Sequence, residues 1–229
     1  MNLKVDYRGQ MSDTLFTAIF IVLSGGFQDA YTYGCRGGVF ANAQTGNIVL
    51  LSTALFRHEW DIVIKYAIPV LSFLLGAAAA LLVRLAFGKN QKLHWRQIVL
   101  AIEIVILAGV TFISSDRVAN ALVSFVCAMQ VMTFRKVRGL AYASTMCIGN
   151  LRSGTEALCE YFHDKNPAVL RRALTYFGVI GIFALGAGAG AWITARAGER
   201  TIWISCALLT VSFLLMFLRE KRAEEKELL

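Results

Sequence analysis

Apolar residues run along this chain in long blocks, at 15–23, 62–83, 98–113, 118–132, 173–194 and 201–218, separated by short polar or glycine-rich stretches. A hydrocarbon core of about 30 Å takes about 20 helical residues, at 1.5 Å of rise each. The longer blocks reach that length alone, and the shorter ones reach it with their polar flanks. A transmembrane barrel would need stretches of about ten residues that alternate in polarity, whereas these blocks are apolar on every side and hold Gly and Ala inside them. The pattern therefore predicts an all-α, polytopic transmembrane helical bundle forming a single membrane domain over 1–229. The first block follows Lys4 and Arg8 but leads into Ser24-Gly25-Gly26-Phe27 without a small-residue cleavage site, so it is expected to stay as a span.

The blocks repeat. Gln28, Arg36-Gly37, Phe40-Ala41 and Gly46-Asn47 recur as Gln130, Arg138-Gly139, Tyr142-Ala143 and Gly149-Asn150, with spacings that agree to one residue. Further on, Tyr66, Phe73 and Leu75-Gly76-Ala77 recur as Tyr176, Phe183 and Leu185-Gly186-Ala187 at a constant offset. Two copies of one helical unit are a common plan for membrane transporters. Repeat one is expected at about 14–115, repeat two at about 117–218, and a charged cytoplasmic tail at 219–229.

Each copy holds three clear spans and one odd segment, 38–56 and 140–158. If both odd segments cross, there are eight spans; if both enter and return, there are six. With six spans, seventeen of the twenty-three basic residues fall on the inner side and six on the outer, whereas eight spans leave the two sides nearly equal. The positive-inside rule thus favours six, with both termini cytoplasmic. Three spans per copy turn the second copy upside down, so two three-helix inverted repeats are expected, each with a short re-entrant or broken helix.

Composition supports the class: 57% of residues are hydrophobic and 17% charged, against about 25% charged in soluble domains. The excess of basic residues sits at block edges, which suits a lipid surface and not a nucleic-acid groove. Cys35, Cys127, Cys147, Cys159 and Cys206 show no paired spacing, and His58, His94 and His163 are isolated in polar linkers, so no metal site or cofactor is expected. No phosphate loop, nucleophile elbow or dinucleotide fingerprint occurs, and no catalytic residue is assigned.

Chemistry concentrates in the odd segments. The first carries Asn42, Gln44, Thr45, Gly46 and Asn47 among apolar neighbours; such groups must face protein or a water-filled cavity. Thr45-Gly46-Asn47 suits a capped helix start, followed by a half-helix over 48–55. The second carries Gly149, Asn150 and Arg152. Arg152 has no charged counterpart in the first copy, and is either a substrate-binding cation or a structural partner of Glu156 or Asp29. Asp29 lies on a face shared with Gly25, Gly26 and Tyr33; it and Glu103 are the acids at membrane depth, either relaying protons, holding a cation or forming interfacial ion pairs. Gly186-x-x-x-Gly190 and the small-residue run at 76–80 point to close helix packing.

The segments Gly25-Gly26-Phe27-Gln28-Asp29-Ala30-Tyr31-Thr32-Tyr33, Gly37 to Asn47 and Gly149-Asn150-Leu151-Arg152-Ser153-Gly154 resemble the YoaK-like family of bacterial membrane proteins. The likeness covers most of the chain and implies a bacterial inner-membrane location without implying a substrate. The expected function is a channel or secondary transporter for a small solute, with an anion the first expectation, through a path between the two Gly-Asn segments. An integral-membrane enzyme, with Cys147 and Asp29 its only loose candidates, is the alternative; a non-transporting scaffold is the third, favoured if the segments pack shut with every polar group satisfied. The expected partners are the lipid bilayer and a small-molecule or ion substrate, with a homodimer compatible with a chain of this size.

Overall fold

The computed structural model describes residues 14–88 and 94–227, with side chains as far as Met216. The chain is almost wholly helical, in the order α1 (Leu15–Cys35), α2 (Gln44–Phe56), α3 (Trp60–Phe87), α4 (Trp95–Val110), α5 (Asp116–Thr133), β1 (Lys136–Val137), β2 (Leu140–Ala141), α6 (Cys147–Asp164), α7 (Pro167–Ala197), a 3-10 turn (Gly198–Thr201) and α8 (Ile202–Glu227). The all-α class expected from the pattern is the class found. Lys4, Arg8, Lys89 and Lys92, which enter the inner charge count, lie outside the described residues, as do the side chains of the tail.

Local chemistry sets the helix ends. Thr14 accepts from the Thr17 backbone N–H at the start of α1. His94 and Gln97 cap α4 reciprocally. Asn166 caps α7, where Pro167 takes a first-turn position that has no use for an N–H. Arg138 and Gly139, both at positive φ, form the two-residue turn joining β1 to β2, as a primed hairpin turn demands. The start of α2 differs from the sequence expectation. The helix begins at Gln44 with Ala43 in the cap position, so Thr45 and Asn47 lie within its first turn and cap nothing. Asn47 is instead engaged by the loop before it.

The packing pairs helices far apart in the chain. α1 packs on α7 and α8, α5 packs on α3 and α4, α4 meets α8, and the short helices lean on one neighbour each, α2 on α3 and α6 on α7. Glycine permits the closest approaches. A Cβ at Gly186 would lie 2.3 Å from the Leu23 carbonyl oxygen, and one at Gly76 would lie 2.1 Å from the Phe125 carbonyl oxygen. Gly26 is equally tight against the Phe183 carbonyl, at 2.2 Å.

Polarity is arranged the reverse of the way water would arrange it. α1 buries Ser24, Gln28, Asp29 and Thr32, and α5 buries Asn120, Ser124, Gln130 and Thr133, while Leu74, Leu75, Leu82 and Leu85 of α3 and Leu185 and Trp192 of α7 are exposed. An apolar exterior of this extent marks a surface that water does not cover. Two stretches, Trp60–Phe87 and Pro167–Met216, are long and apolar enough to cross a membrane, and only 11% of the first one's apolar window is buried. Both features point to a membrane location.

Candidate functional site

The two odd segments meet beside Gly25 of α1. After Cys35 the chain turns through Gly37 and Gly38, at φ +77° and +75°, and comes back along α1. There the Asn42 backbone N–H donates to Asp29 Oδ1 at 2.8 Å, and Asn42 Nδ2 donates to the Gly25 carbonyl at 3.1 Å. The stacked rings of Tyr33 and Phe40, 4.5 Å between centroids, pin the same loop. On the other side of Gly25, a Cβ would meet Thr145 Cγ2 at 2.6 Å and Gln130 Nε2 at 3.4 Å. Ten residues separate Gly25 from the end of α1, about 15 Å of helical rise, so both loops reach deep along α1.

Each loop is closed by an asparagine with the same reach. Asn47 Nδ2 donates to the Phe40 carbonyl at 2.8 Å, and Asn150 Nδ2 to the Ala143 carbonyl at 2.8 Å, both across seven residues. Asn47 Nδ2 also donates to Gln44 Oε1, and Gln44 Nε2 to the Ala41 carbonyl. The two asparagine amides are buried, that of Gln44 is half-buried, and all three are spent on the loops. Thr45 is exposed, and an added Cβ at Gly46 or Gly149 would meet nothing.

The surrounding polar groups are only partly satisfied. Gln28 Nε2 donates to Ser24 Oγ, the Cys127 thiol donates to Gln28 Oε1 at 3.1 Å, and Gln130 Nε2 donates to the Ile21 carbonyl and Ser144 Oγ. Asn42 Oδ1, Gln130 Oε1 and Thr145 Oγ1 are buried without a hydrogen-bond partner, and all three side chains gather round Gly25. Cys127 lies within electrostatic reach of Asp29 and of Glu103, whose two oxygens are buried and unpartnered. Buried atoms of this kind are rare, and each calls for an explanation.

Among the sequence candidates, Asp29 and Asn42 are at this centre, while Gln44, Asn47 and Asn150 shape the loops that deliver it. Arg152 is elsewhere. Its side chain is 80% exposed and its Nε donates to Glu156 Oε1 at 2.8 Å, the i+4 pair that was one of its two readings. Cys147 is half-buried at the first position of α6.

Two features were missed. Asn120, Ser124, Cys127, Gln130 and Thr133 recur every three or four residues, so they form a buried polar stripe along α5, a period visible in the sequence once Cys127 is counted as polar. Arg36 is the second, since nothing in its flanking sequence marks it as a core residue. It is fully buried: Nε donates to the Tyr31 hydroxyl at 2.9 Å, and the guanidinium pairs with Glu199 at 3.0 Å and Asp116 at 3.4 Å. No curated protein and no solved structure matches this chain. A family described as a protein of unknown function, DUF1275, matches residues 17–215, consistent with the YoaK-like resemblance, and the chain belongs to that family.

Proposed function

We propose that the protein is a multi-pass bacterial inner-membrane transporter or channel that passes a small polar solute between the two loops at Gly25. In this reading α1, α3, α4, α5, α7 and α8 cross the membrane, α2 and α6 are half-helices entering from opposite sides, and both termini are cytoplasmic. The mirrored contacts support an inverted repeat: α1 on α7 through Gly186, α5 on α3 through Gly76, and one asparagine clamp per loop. Half-helices that end at a shared midplane site are a recurrent transporter device.

The observation that carries the reading is the set of unpartnered acceptors round Gly25. A scaffold whose segments pack shut would satisfy its polar atoms internally, since each buried orphan costs about 1–3 kcal/mol. Asn42 Oδ1, Gln130 Oε1 and Thr145 Oγ1 are left over, with the Asp29 carboxyl on the far side of Asn42. Amide oxygens can only accept, so the solute proposed here presents N–H or O–H donors or carries positive charge, in place of the anion first expected.

Flux into proteoliposomes across ammonium, small neutral polar solutes, small anions and protons tests this. Thr145→Val is the sharpest variant, because removing a hydroxyl without a partner has little structural cost. It should lower flux of the transported solute at least tenfold, whereas Arg152→Ala should leave it within about twofold, in keeping with the ~2 kcal/mol typical of a lost acceptor and an exposed ion pair. Folded protein that moves no solute, or an Arg152 effect larger than that of Thr145, would overturn the proposal. Sidedness is tested by cysteines at the far ends of the half-helices. With Cys159→Ser as background, Phe56→Cys should react with an impermeant maleimide from outside and Phe162→Cys from inside; both positions are exposed. Labelling from one side only would refute the inverted arrangement.

A further inference from the structure

Glu103 of α4 is fully buried, and neither of its carboxyl oxygens has a hydrogen-bond partner. The residues one turn away on the same helix, Val99, Leu100 and Leu107, are apolar and fully buried. α4 packs on α3, α5 and α8, and these bring little charge to it. α3 carries no titratable side chain between Tyr66 and Arg84, and Arg84 stands with Arg96 at the Trp95 ring, about 12 Å of helical rise before Glu103. On α8 the titratable side chain between Ile202 and Met216 is Cys206, whose thiol is spent on the Ile104 carbonyl. On α5, Asp116 and Arg117 are engaged at the helix start by Arg36 and Asp61, and Cys127 lies within electrostatic reach of Glu103. A second orphan lies at the same depth. α4 and α5 run antiparallel through residues 111–115, which puts Ser124 level with Glu103, and the Ser124 hydroxyl is also buried without a partner. A carboxylate in such a place needs its charge removed. A hard metal ion would need about six oxygen ligands, which these neighbours do not hold, whereas a proton needs only one.

We propose that Glu103 is a proton-binding site coupled to the centre at Gly25, so that the protein exchanges a proton for its solute. The coupling runs through Cys127, which lies within electrostatic reach of both Glu103 and Asp29 and whose thiol donates to Gln28 Oε1 at 3.1 Å. Two acids sharing a dry interior interact far more strongly than in water, so they do not both carry charge unless one of them is compensated. A cationic or donor-bearing solute at Gly25 supplies that compensation on the Asp29 side and lowers the cost of ionising Glu103. The Glu103 O–H bond then breaks, the electron pair stays on the carboxylate and the proton leaves to water; departure of the solute reverses the step. The exchange rests on the transport reading above, whereas the proton on Glu103 does not.

The test takes two readouts from the full chain in lipid. In infrared spectra at neutral pH, wild type should show the carbonyl stretch of a protonated carboxyl, deleted in Glu103→Gln and displaced in Glu103→Asp. Elution volume reports whether each variant folds; if Glu103→Gln does not, the displaced band of Glu103→Asp still ties the proton to this position. The second readout is uptake of guanidinium, a permanent cation whose N–H groups suit the acceptors at Gly25, with the membrane potential clamped at zero. With the liposome interior one pH unit more acid than the bath, wild type should accumulate guanidinium about tenfold, the factor that one proton per solute supplies. Glu103→Gln should bring it only to equal concentrations on the two sides. Guanidinium that does not enter, or that still accumulates tenfold through Glu103→Gln, would overturn the exchange. A band that Glu103→Gln leaves in place would overturn the proton site itself. Failure of the transport reading looks different: no solute of the flux panel moves, while the band remains tied to Glu103.

Discussion

Arg36 is the largest side chain in the described chain with no appreciable exposure, and it ties four segments together at one point. Its guanidinium reaches Asp116 at the start of α5, Glu199 in the turn before α8 and the Val110 carbonyl at the end of α4, while its own carbonyl accepts from Asn120 Nδ2 at 2.7 Å. Asp116 and Glu199 keep 48% of their side-chain surface exposed, so the cost of burying charge falls mainly on the arginine. Removing a buried partner leaves the others without their counter-charge, which in fully buried pairs costs about 3–5 kcal/mol. For Arg36→Gln the half-exposed carboxylates reduce that to about 2 kcal/mol, by the same reasoning. The thermal midpoint of unfolding in detergent should fall by several degrees, with solute flux per folded molecule unchanged. An unchanged midpoint would mean that the network carries no stability. A loss of flux at unchanged midpoint would move Arg36 into the path.

At the scale of elements, stability depends on which glycines lie under a neighbouring backbone. Gly186-Ala187-Gly188-Ala189-Gly190 presents glycine at every second position, but a helix turns those positions to different faces. Gly186 and Gly190 face α1, and Gly188 faces nothing within 4 Å. Gly186→Ala must push α7 off the Leu23 carbonyl, with an overpacking cost of about 1–3 kcal/mol, and Gly76→Ala should cost the same at Phe125. Gly188→Ala should be neutral or slightly stabilising, because alanine is the better helix former. Unfolding curves of the three variants decide; equal behaviour at 186 and 188 would show that the small residues matter by composition and not by contact. This distinction also marks what the sequence could tell. Four-residue spacing made the packing stripe legible, and block length made the helices legible. The depth of Asn42 was legible from its apolar setting, since an amide there needs protein or water round it. What Arg152 faces was not legible, because it depends on which neighbour α6 leans against. Nor was the burial of Arg36, whose partners lie 80 and 163 positions further along the chain.

The whole molecule is built so that neither half has a core of its own. Within residues 14–114 the substantial contacts join α2 to α3 and α3 to α4, and α1 finds its packing surface on α7 and α8. In the second half α6 and α7 pack together, while α5 rests on α3 and α4. The polar stripes follow the same exchange. Gln28 of α1 is met by Cys127 of α5, and Gln130 Nε2 of α5 by the Ile21 carbonyl of α1, so each half supplies a partner to a buried amide of the other. A half expressed alone would leave those groups unpaired inside the bilayer, where no water replaces a lost partner and each costs several kcal/mol, as a rough transfer figure. Residues 1–114 and 115–229 produced separately should therefore be degraded or aggregate, falling at least tenfold in recovered monodisperse protein, while the two produced together should assemble and copurify. Thr145→Val in the second piece should then lower flux at least tenfold in the assembled pair, just as in the intact chain, since Thr145 meets Gly25 only across the halves. A first half that folds and stays soluble in detergent by itself would contradict the exchanged packing, and with it the view that the centre at Gly25 is made by both halves of the chain and owned by neither.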